Sequence, residues 1–284
     1  MELIICSQPE KVQAQVREWK KQGLTIGLVP TMGYLHEGHA SLIKRAAAEC
    51  DRVIVSVFVN PTQFGPTEDL QAYPRDFERD KKLIAACGGS LVFAPTPADM
   101  YAPGACTWVT VEGLTRELCG RSRPIHFRGV ATVVMKLMNI AQPDRAYFGQ
   151  KDAQQLAVIR RMVRDLNMPL QVVGCPIVRE ADGLAKSSRN TYLSDEERRA
   201  ALILSKSLAA GRALLEKGET ATASVIAEIT RTIETEPLAR IDYVQAVDAD
   251  TIEPVETVKG CVLFAIAVYI GKTRLIDNFY RTAE

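Results

Sequence analysis

The stretch from residue 25 to residue 46 most constrains the fold, because an apolar run passes there into a helical pattern through a turn that carries two histidines. The run Thr25–Val29 predicts a buried strand, and Pro30 is expected to end it. His36 and His39 follow in the turn, and apolar residues then recur at helical spacing. The first N–H groups of a helix are unpaired, and its dipole favours negative charge. The junction therefore predicts a site for phosphate groups.

Apolar runs alternate with amphipathic runs over the first two thirds of the chain. The predicted strands are 25–29, 52–59, 90–93, 146–148 and 170–173, and the predicted helices are 38–49, 75–87, 130–141 and 153–166. This order predicts an α/β fold, a Rossmann-like parallel sheet with helices on both faces. Ligands of such sheets bind beyond the carboxyl ends of the strands, where the loops after residues 59, 148 and 173 are expected to meet the histidine turn.

The pattern changes after about residue 180 and predicts a second domain. One long helix is expected from Ser194 to Gly218, and a second from Ala221 to Thr235. Three strand-like runs follow, the last two joined by a tight turn at Gly271. We therefore predict a Rossmann-like domain over 1–180, and a smaller α+β domain with a short antiparallel sheet over 181–284.

Composition excludes several classes of function. Of the 284 residues, 47% are apolar and 24% charged, which is typical of a soluble globular protein. The formal net charge of +1 predicts neither nucleic-acid nor membrane binding through a global field. The first residues lack a signal-peptide pattern, and the longest apolar run, 261–270, is about half of a membrane span. Seven scattered cysteines without a CxxC motif favour reduced thiols, and hence a cytoplasmic protein.

Five segments carry a resemblance to a known family. In chain order they are PTMGYLHEGH at 30–39, FVNPTQF at 58–64, HFRGV at 126–130, FGQKDAQQ at 148–155 and GLAKSSRN at 183–190. The HxGH turn and the basic, serine-rich loop resemble the signatures of the nucleotidylyl-transferase superfamily. The sequences of all five segments, in this order, resemble those of the pantothenate synthetases, which are pantoate–β-alanine ligases.

The resemblance implies a reaction in two steps. The carboxylate of (R)-pantoate attacks the α-phosphorus of MgATP, which gives pantoyl adenylate and diphosphate. The amine of β-alanine then attacks the acyl carbon, which releases AMP and pantothenate, the coenzyme A precursor. ATP is thus expected as a substrate, Mg²⁺ as its counter-ion and a homodimer as the assembly.

The resemblance also implies a task for each predicted domain. The domain over 1–180 is expected to bind the nucleotide and pantoate. The domain over 181–284 is expected to carry the KSSRN segment as a lid loop. A loop that excludes water would protect the labile adenylate.

Residues are assigned to ATP on the same basis. His39 is expected to donate to the α-phosphate, with His36 on the phosphates and Lys151 neutralising charge as the other catalytic residues. The full predicted ATP-binding set is Met32, Gly33, Tyr34, Leu35, His36, Glu37, Gly38, His39, Gly149, Gln150, Lys151, Asp152, Val178, Lys186, Ser187, Ser188 and Arg189. Asp152 could instead cap a helix, and the Lys186–Arg189 segment alone could be an ordinary surface loop.

The assignment of residues to pantoate and β-alanine is implied almost wholly by the resemblance. Gln63 and Gln155 are expected to bind pantoate, and Gln63 also to lie near β-alanine. Neutral amides suit the recognition of hydroxyls and a carboxylate without adding charge. His126 and Arg128 are expected near the same pocket with undefined roles. Asp80 could assist Mg²⁺ through the phosphates, but a carboxylate on the surface of a helix is the simpler expectation.

Three other readings remain open at this point. Another nucleotidylyl transferase could use the same ATP site on a different acceptor. A zinc hydrolase would need all three histidines of the chain, because HEGH spaces its histidines by three residues and the zincin motif requires four. No protein metal site is therefore predicted. The third reading is a nucleotide-binding protein without catalysis.

Overall fold

The computed structural model describes residues 2–66 and 68–282, which form two compact units. The first unit comprises the residues up to Val111 together with Arg123–Gln150 and Val158–Pro176. The second comprises Glu112–Ser122, Lys151–Ala157 and the chain from Ile177 onward. The predicted boundary at residue 180 stays a prediction, since two short segments earlier in the chain belong to the second unit.

The first unit is built on a six-stranded parallel sheet. Its strands are β1 (Ile4–Cys6), β2 (Ile26–Thr31), β3 (Arg52–Val57), β4 (Leu91–Phe93), β5 (Arg145–Gly149) and β6 (Gln171–Cys175). They lie in the order β1-β4-β3-β2-β5-β6, and every pair is parallel. The order reverses direction around β2, which places the loop after β2 at the switch point where α/β sheets bind ligands. The predicted fold class is confirmed.

Helices alternate with these strands. They are α1 (Pro9–Lys21), α2 (Glu37–Glu49), α3 (Phe77–Ala86), α4 (Pro97–Met100), α5 (Leu118–Ser122), α6 (His126–Ala141) and α7 (Ala153–Asp165), of which α5 belongs to the second unit and α7 spans the division. On α2 the apolar face is buried through Leu42, Ile43 and Ala46, as the helical spacing predicts. These side chains join the core formed with the strands beneath them.

The expectation that Pro30 ends the first strand was wrong. Strand β2 continues through Pro30 to Thr31 and pairs with β3 over its full length. On its other side β2 pairs with β5 only at Gly27 and Leu28. Pro30 lies beyond the part of β2 that pairs with β5. Its lack of an N–H group therefore costs no hydrogen bond to β5.

The two elements at the amino end, β1 and α1, were not predicted. Strand β1 has three residues and pairs with β4, and α1 buries Val12, Val16 and Trp19. A strand of three residues gives too few positions for a periodic pattern.

Within the part of the chain that the structure describes, no helix has both the length and the apolarity that crossing a bilayer requires.

The second unit combines helices with an antiparallel sheet. The elements are α8 (Asp195–Ala200), α9 (Ile203–Glu216), α10 (Thr222–Ile233), β7 (Ala239–Asp248), β8 (Cys261–Ile270) and β9 (Thr273–Thr282). The strand order is β7-β8-β9, with Gly271 in the left-handed region at the β8–β9 turn. The single helix expected from Ser194 to Gly218 is two helices, because the amides of Leu202 and Leu204 bond three residues back and tighten the chain between them.

Candidate active site

The turn after β2 places both histidines at the start of α2. His36 is the N-cap of this helix and His39 lies in its first turn. The Nδ1 atom of His36 accepts a hydrogen bond from the backbone N–H of Gly38 at 3.1 Å. The Nδ1 atom of His39 accepts from the backbone N–H of His36 at 3.3 Å. The two rings therefore cap the helix reciprocally, with 4.1 Å between their centroids.

This capping defines the proton position on each ring. A neutral imidazole that accepts at Nδ1 carries its proton on Nε2. Both His36 and His39 thus have an Nε2–H donor on a ring whose other nitrogen is already engaged. Donors that are held in place at a helix N-terminus suit an anion such as phosphate.

The buried carboxylate of Asp80 holds the turn from the other side, and the expectation of a surface helix carboxylate was wrong. Asp80 lies on α3 and is only 1% exposed. Its Oδ2 accepts from the backbone N–H of Tyr34 at 2.8 Å, and its Oδ1 accepts from that of Leu35 at 2.7 Å. Burial raises the pKa of this carboxyl, and the two backbone donors oppose that rise. Because Gly33 and Tyr34 both have positive φ, the turn needs such support.

Gln63 lies in a second part of the first unit, in the short 3-10 helix Pro61–Gln63 that follows β3. Its side chain is buried, with Oε1 accepting from the Nδ2 of Asn60 at 3.1 Å. Its Nε2 donates to the sulfur of Met32 at 3.1 Å, which links Gln63 to the turn that carries the histidines. Two predicted site residues are therefore brought together in this unit.

Asn60 belongs to the surroundings of Gln63, although the sequence did not predict it as a site residue. It is 1% exposed, and its Oδ1 accepts from the hydroxyl of Tyr101 at 2.8 Å and from that of Thr62 at 3.0 Å. An Asn directly before a Pro at the first helical position is a usual N-cap arrangement, which was the available signal. The pattern did not show that the same side chain would hold Gln63.

His126 and Arg128, both from the HFRGV segment, have different surroundings. His126 is buried at the start of α6, and its Nδ1 lies 3.0 Å from the backbone oxygen of Gln63. Arg128 is exposed, and its guanidinium stacks on the ring of Trp108 at 4.8 Å. Of these two residues, only His126 contacts a residue that is predicted to bind the substrate, Gln63.

Gly149 and Gln150 end the Arg123–Gln150 segment of the first unit, and Lys151 and Asp152 begin the Lys151–Ala157 segment of the second. Gln150–Asp152 form a 3-10 turn, and α7 starts at Ala153, as predicted. The backbone oxygen of Lys151 accepts from the Nδ2 of Asn278 on β9 at 2.9 Å. The main chain at Lys151 is thereby anchored to the second unit's sheet.

The two neighbouring glutamines of α7 differ in burial. Gln154 is buried, and its Nε2 donates to the backbone oxygens of Leu114 and Glu117, both at 2.8 Å. Gln155, the predicted pantoate ligand, is only partly buried. This difference agrees with a structural task for Gln154, and the ligand role of Gln155 stays a prediction.

The predicted KSSR loop also lies in the second unit. The N–H of Lys186 donates to the oxygen of Val178 at 2.9 Å, which joins two predicted ATP ligands. Ser187 caps a 3-10 helix, Ser188–Tyr192, and its Oγ accepts from the N–H of Arg189 at 3.3 Å. Ser188 is buried, so this segment is not the fully solvated surface loop that was the alternative.

Polar contacts brace the base of this loop. The Nδ2 of Asn190 donates to the oxygen of Ala185 at 3.1 Å and to Glu180 at 3.2 Å. Arg179 forms a two-pronged pair with Asp277, at 2.6 and 2.9 Å, and this carboxylate is 1% exposed on its side chain. Bidentate pairs of this kind fix geometry as well as charge. The loop thus starts from a rigid base.

The predicted site residues fall on both units. Met32–His39, Gln63, Gly149 and Gln150 lie on the first, and Lys151, Asp152, Gln155, Val178 and Lys186–Arg189 lie on the second. No group of three potential metal-ligating side chains occurs among residues 2–66 and 68–282. Each oxygen of Asp80 accepts a hydrogen bond from a backbone N–H group.

The parallel sheet, its switch point and the capped histidine turn define a Rossmann-like nucleotide-binding protein. The sequence profile described as pantoate-beta-alanine ligase matches residues 4–280. The chain belongs to this family, and the predicted family and enzyme class, an AMP-forming carbon–nitrogen ligase, are confirmed.

Curated relatives and solved structures agree. The chain is 60% identical to the pantothenate synthetase of Ruminiclostridium cellulolyticum and 62% identical to that of Clostridium novyi, over 95% of each chain in both comparisons. The crystal structure of the Thermus thermophilus enzyme superposes with a TM-score of 0.93 at 46% identity, covering 98% of this chain and 99% of the other. That of the Francisella tularensis enzyme, described as complexed with β,γ-ATP and β-alanine, superposes with a TM-score of 0.80 at 34% identity, covering 98% and 97%.

Proposed function

We propose that this chain joins (R)-pantoate to β-alanine at the expense of ATP, through a pantoyl adenylate, and so makes pantothenate, AMP and diphosphate. The observation that carries the proposal is the reciprocal capping of His36 and His39, which directs two Nε2–H donors at a helix N-terminus. Membership of the ligase family supports it, and so does the likeness to a solved relative whose description names ATP and β-alanine.

In the first step an oxygen of the pantoate carboxylate attacks the α-phosphorus, and the bond to the bridging oxygen of diphosphate breaks. Negative charge accumulates on the α-phosphate oxygens as phosphorus becomes five-coordinate. A donor already in place, as the Nε2–H of His39 is in this proposal, stabilises that charge without reorganisation. His36, one turn earlier, binds a neighbouring phosphate oxygen.

The substrate in this proposal is MgATP. Magnesium is commonly held by substrate phosphates with few protein ligands, which agrees with a chain that offers no cluster of three ligating side chains among its described residues. Lys151, Lys186 and Arg189 are the cations that we assign to the phosphates, with the hydroxyls of Ser187 and Ser188 as further donors. Met32–Leu35, Glu37, Gly38, Gly149, Gln150, Asp152 and Val178 complete the proposed nucleotide contacts.

In the second step the amine of β-alanine attacks the acyl carbon of the adenylate. The amide bond forms, the bond to the AMP oxygen breaks, and the amine releases a proton. The reaction needs no covalent protein intermediate, because ATP has already supplied the leaving group. Keeping water away from the adenylate is the remaining requirement.

We assign Gln63 and Gln155 to pantoate, and Gln63 also to β-alanine. An amide offers a donor and an acceptor without charge, which suits a ligand with two hydroxyls and a carboxylate. The bond from Asn60 to the Oε1 of Gln63 supports the role of Gln63, because it holds the amide in one orientation.

The setting of the enzyme also belongs to the proposal. Seven cysteines without a disulfide, among them the exposed Cys106 and Cys261, support a reducing compartment such as the cytoplasm. A homodimer rests on the family resemblance, and light scattering of the purified protein would test it.

The deciding experiment measures AMP and diphosphate released from MgATP, with pantoate and β-alanine added separately and together. We expect about one enzyme equivalent of diphosphate with pantoate alone, and continuous AMP release only when β-alanine is present. Nucleotide binding without pantoate-dependent diphosphate would overturn the proposal and point to a different acceptor for the same ATP site.

A further inference from the structure

The first turn of α6 is attached to the backbone that carries Gln63. The oxygen of Gln63 lies 3.0 Å from the Nδ1 of His126 and accepts from the Nη2 of Arg123 at 3.4 Å. The Nδ2 of Asn60 donates to the oxygen of Gly129 at 3.2 Å, so the same side chain that orients the Gln63 amide also binds α6. His126 of α6 thus contacts the main chain of Gln63, and Asn60 links the side chain of Gln63 to the same helix.

Gly129 permits this close approach. A methyl group at this position would lie 2.4 Å from the oxygen of Thr62 and 2.6 Å from the nitrogen of Gln63. Both are backbone atoms, which cannot turn aside as a flexible side chain could. The helix and the Gln63 segment therefore touch main chain to main chain.

The surroundings of His126 define its proton. Its Nε2 lies 3.2 Å from the Nη1 of Arg123, and a guanidinium can only donate, so Nε2 accepts. The proton of the neutral ring is then on Nδ1, where it donates to the oxygen of Gln63. This tautomer is opposite to that of His36 and His39, whose Nδ1 atoms accept.

An ion pair holds Arg123 in turn. Its Nε donates to the Oε1 of Glu68 at 2.9 Å, its Nη2 contacts the other carboxylate oxygen, and both side chains are mostly shielded from water. Burial tends to raise the pKa of Glu68, but the hydrogen bond and charge of Arg123 lower it below its usual range. The chain of contacts therefore runs from Glu68 through Arg123 and His126 to Gln63.

We propose that His126 is a positioning residue for pantoate recognition: its Nδ1–H fixes the backbone of Gln63, and thereby the amide that binds the substrate. His126 acts through Gln63 and has no catalytic step of its own. The inference rests on the proposed function only in the substrate that Gln63 recognises. Small displacements of a recognising group can reduce rates by large factors, which is why such a support matters.

Nitrogen-15 NMR of the wild-type protein tests the geometry without reference to activity. The chain has three histidines, so selective labelling gives three resolvable rings. We expect His126 as the Nδ1–H tautomer and the other two as Nε2–H, with H126N used for assignment. An Nε2–H tautomer at His126 would overturn the inference, whatever the enzyme does.

Two amide replacements test the function. In H126N the amide nitrogen of Asn can replace Nδ1 and keep the hydrogen bond to the oxygen of Gln63. In H126Q the amide nitrogen of Gln lies at the position of Nε2, so the hydrogen bond to Gln63 is lost. We expect H126N to keep the wild-type KM for pantoate within about threefold, and H126Q to raise it about tenfold, with KM for MgATP and kcat nearly unchanged. Simple destabilisation would instead lower the active fraction and hence kcat.

The variant Q63A separates the two proposals. If Q63A raises KM for pantoate and H126Q does not, the positioning role falls and the proposed function stands. If Q63A leaves that KM unchanged, the role of Gln63 and the inference that depends on it both fall. In Q63A/H126Q we expect no further rise beyond Q63A, and additive effects would contradict action through Gln63.

Discussion

At the residue scale, His39 combines two tasks that different amides can separate. Its Nδ1 accepts from the backbone of His36, and its Nε2 is the proposed phosphate donor. In H39N the amide oxygen can replace Nδ1 and keep the cap, but the donor is lost. In H39Q the amide nitrogen can replace Nε2 and keep the donor, but the cap is lost.

We therefore expect H39N to reduce the rate of diphosphate formation by roughly 10²–10³ while the free energy of unfolding stays near the wild-type value. H39Q should retain more activity and lose about 1 kcal/mol of stability, the usual value of an N-cap bond. Single-turnover kinetics and urea unfolding measure the two quantities. Equal loss of rate in both variants, with H39N the less stable, would contradict this division of roles.

Asp80 supports the same turn through charge-assisted bonds to backbone N–H groups. In D80N one oxygen becomes an amide nitrogen, so either Tyr34 or Leu35 loses its acceptor in a buried place. We expect a loss of about 1–3 kcal/mol in the free energy of unfolding and a rise in KM for MgATP. D76N, which alters the N-cap of the same helix near solvent, is the matched control for helix stability alone.

The pKa of Asp80 also predicts a pH dependence of stability. Burial raises this pKa in the folded protein above the ordinary value of 3.8, so between the two values the folded state binds more protons than the unfolded state. The contribution of Asp80 to stability consequently falls as pH rises through that window and is constant above it. Urea unfolding at several pH values should show this slope in the difference between wild type and D80N, and a slope of opposite sign would disprove it.

These two residues show what the sequence could and could not predict about the site. The HxGH turn was visible because all of its parts are local: a strand, a turn and a helix start that follow one another directly along the chain. The role of Asp80 was not visible, because it meets Tyr34 across 46 positions of sequence. The same holds for the contact between Asn60 and α6, which depends on a close approach that only folding brings about.

At the element scale, periodicity predicted many of the strands and helices that bury one face, but not α1, which does so through Val12, Val16 and Trp19. Periodicity also failed where an element is shorter than its own repeat, as in β1, and where the helical pattern continues through a break, as between α8 and α9. Ala201, at that break, is fully buried, so the apolar pattern carries no sign of the interruption. Hydrogen bonding of the backbone, rather than side-chain type, ends α8.

The contact of α9 with α10 gives a prediction at this scale. A methyl group on Gly211 would lie 2.6 Å from the Cγ1 and 2.7 Å from the Cδ1 of Ile229. Alanine is favoured over glycine in a helix by ~1 kcal/mol, but overpacking costs about 1–3 kcal/mol. We expect G211A to destabilise by about 1 kcal/mol, measured by urea unfolding.

The companion variant I229A removes both atoms of Ile229 that the added methyl would meet. In that background G211A should cost less, with a coupling of about 0.5–1 kcal/mol between the two sites. Strictly additive effects would mean that α9 moves as a whole and that Ile229 does not set the spacing of the two helices.

At the scale of the whole molecule, the two units are interleaved along the chain. The second unit includes Glu112–Ser122 and Lys151–Ala157, and α7 begins in one unit and ends in the other. Within the second unit, Gln245 accepts from the N–H of Leu118 at 3.1 Å, and Asn278 donates to Lys151. A division at residue 180 would make residues 181–284 a self-sufficient fragment. The contacts that Gln245 and Asn278 make with Leu118 and Lys151 argue against this.

We expect the fragment 181–284 to lack a cooperative unfolding transition. It loses both inserted segments, and it also leaves the buried carboxylate of Asp277 without Arg179, a loss of about 3–5 kcal/mol for a broken buried pair. That loss alone is a large part of the stability of a domain of this size. Circular dichroism and urea unfolding would measure the transition.

The fragment 177–284 is the matched control, because it restores Arg179 but not the inserted segments. Cooperative unfolding of 177–284 but not of 181–284 would identify the ion pair as the deciding contact. Cooperative unfolding of both would show that the helices and sheet of the second unit are sufficient, and would support the boundary at residue 180. Absence of a transition in both is the outcome that interleaving predicts, because the backbone and side-chain partners on 112–122 and 151–157 are then missing from each fragment.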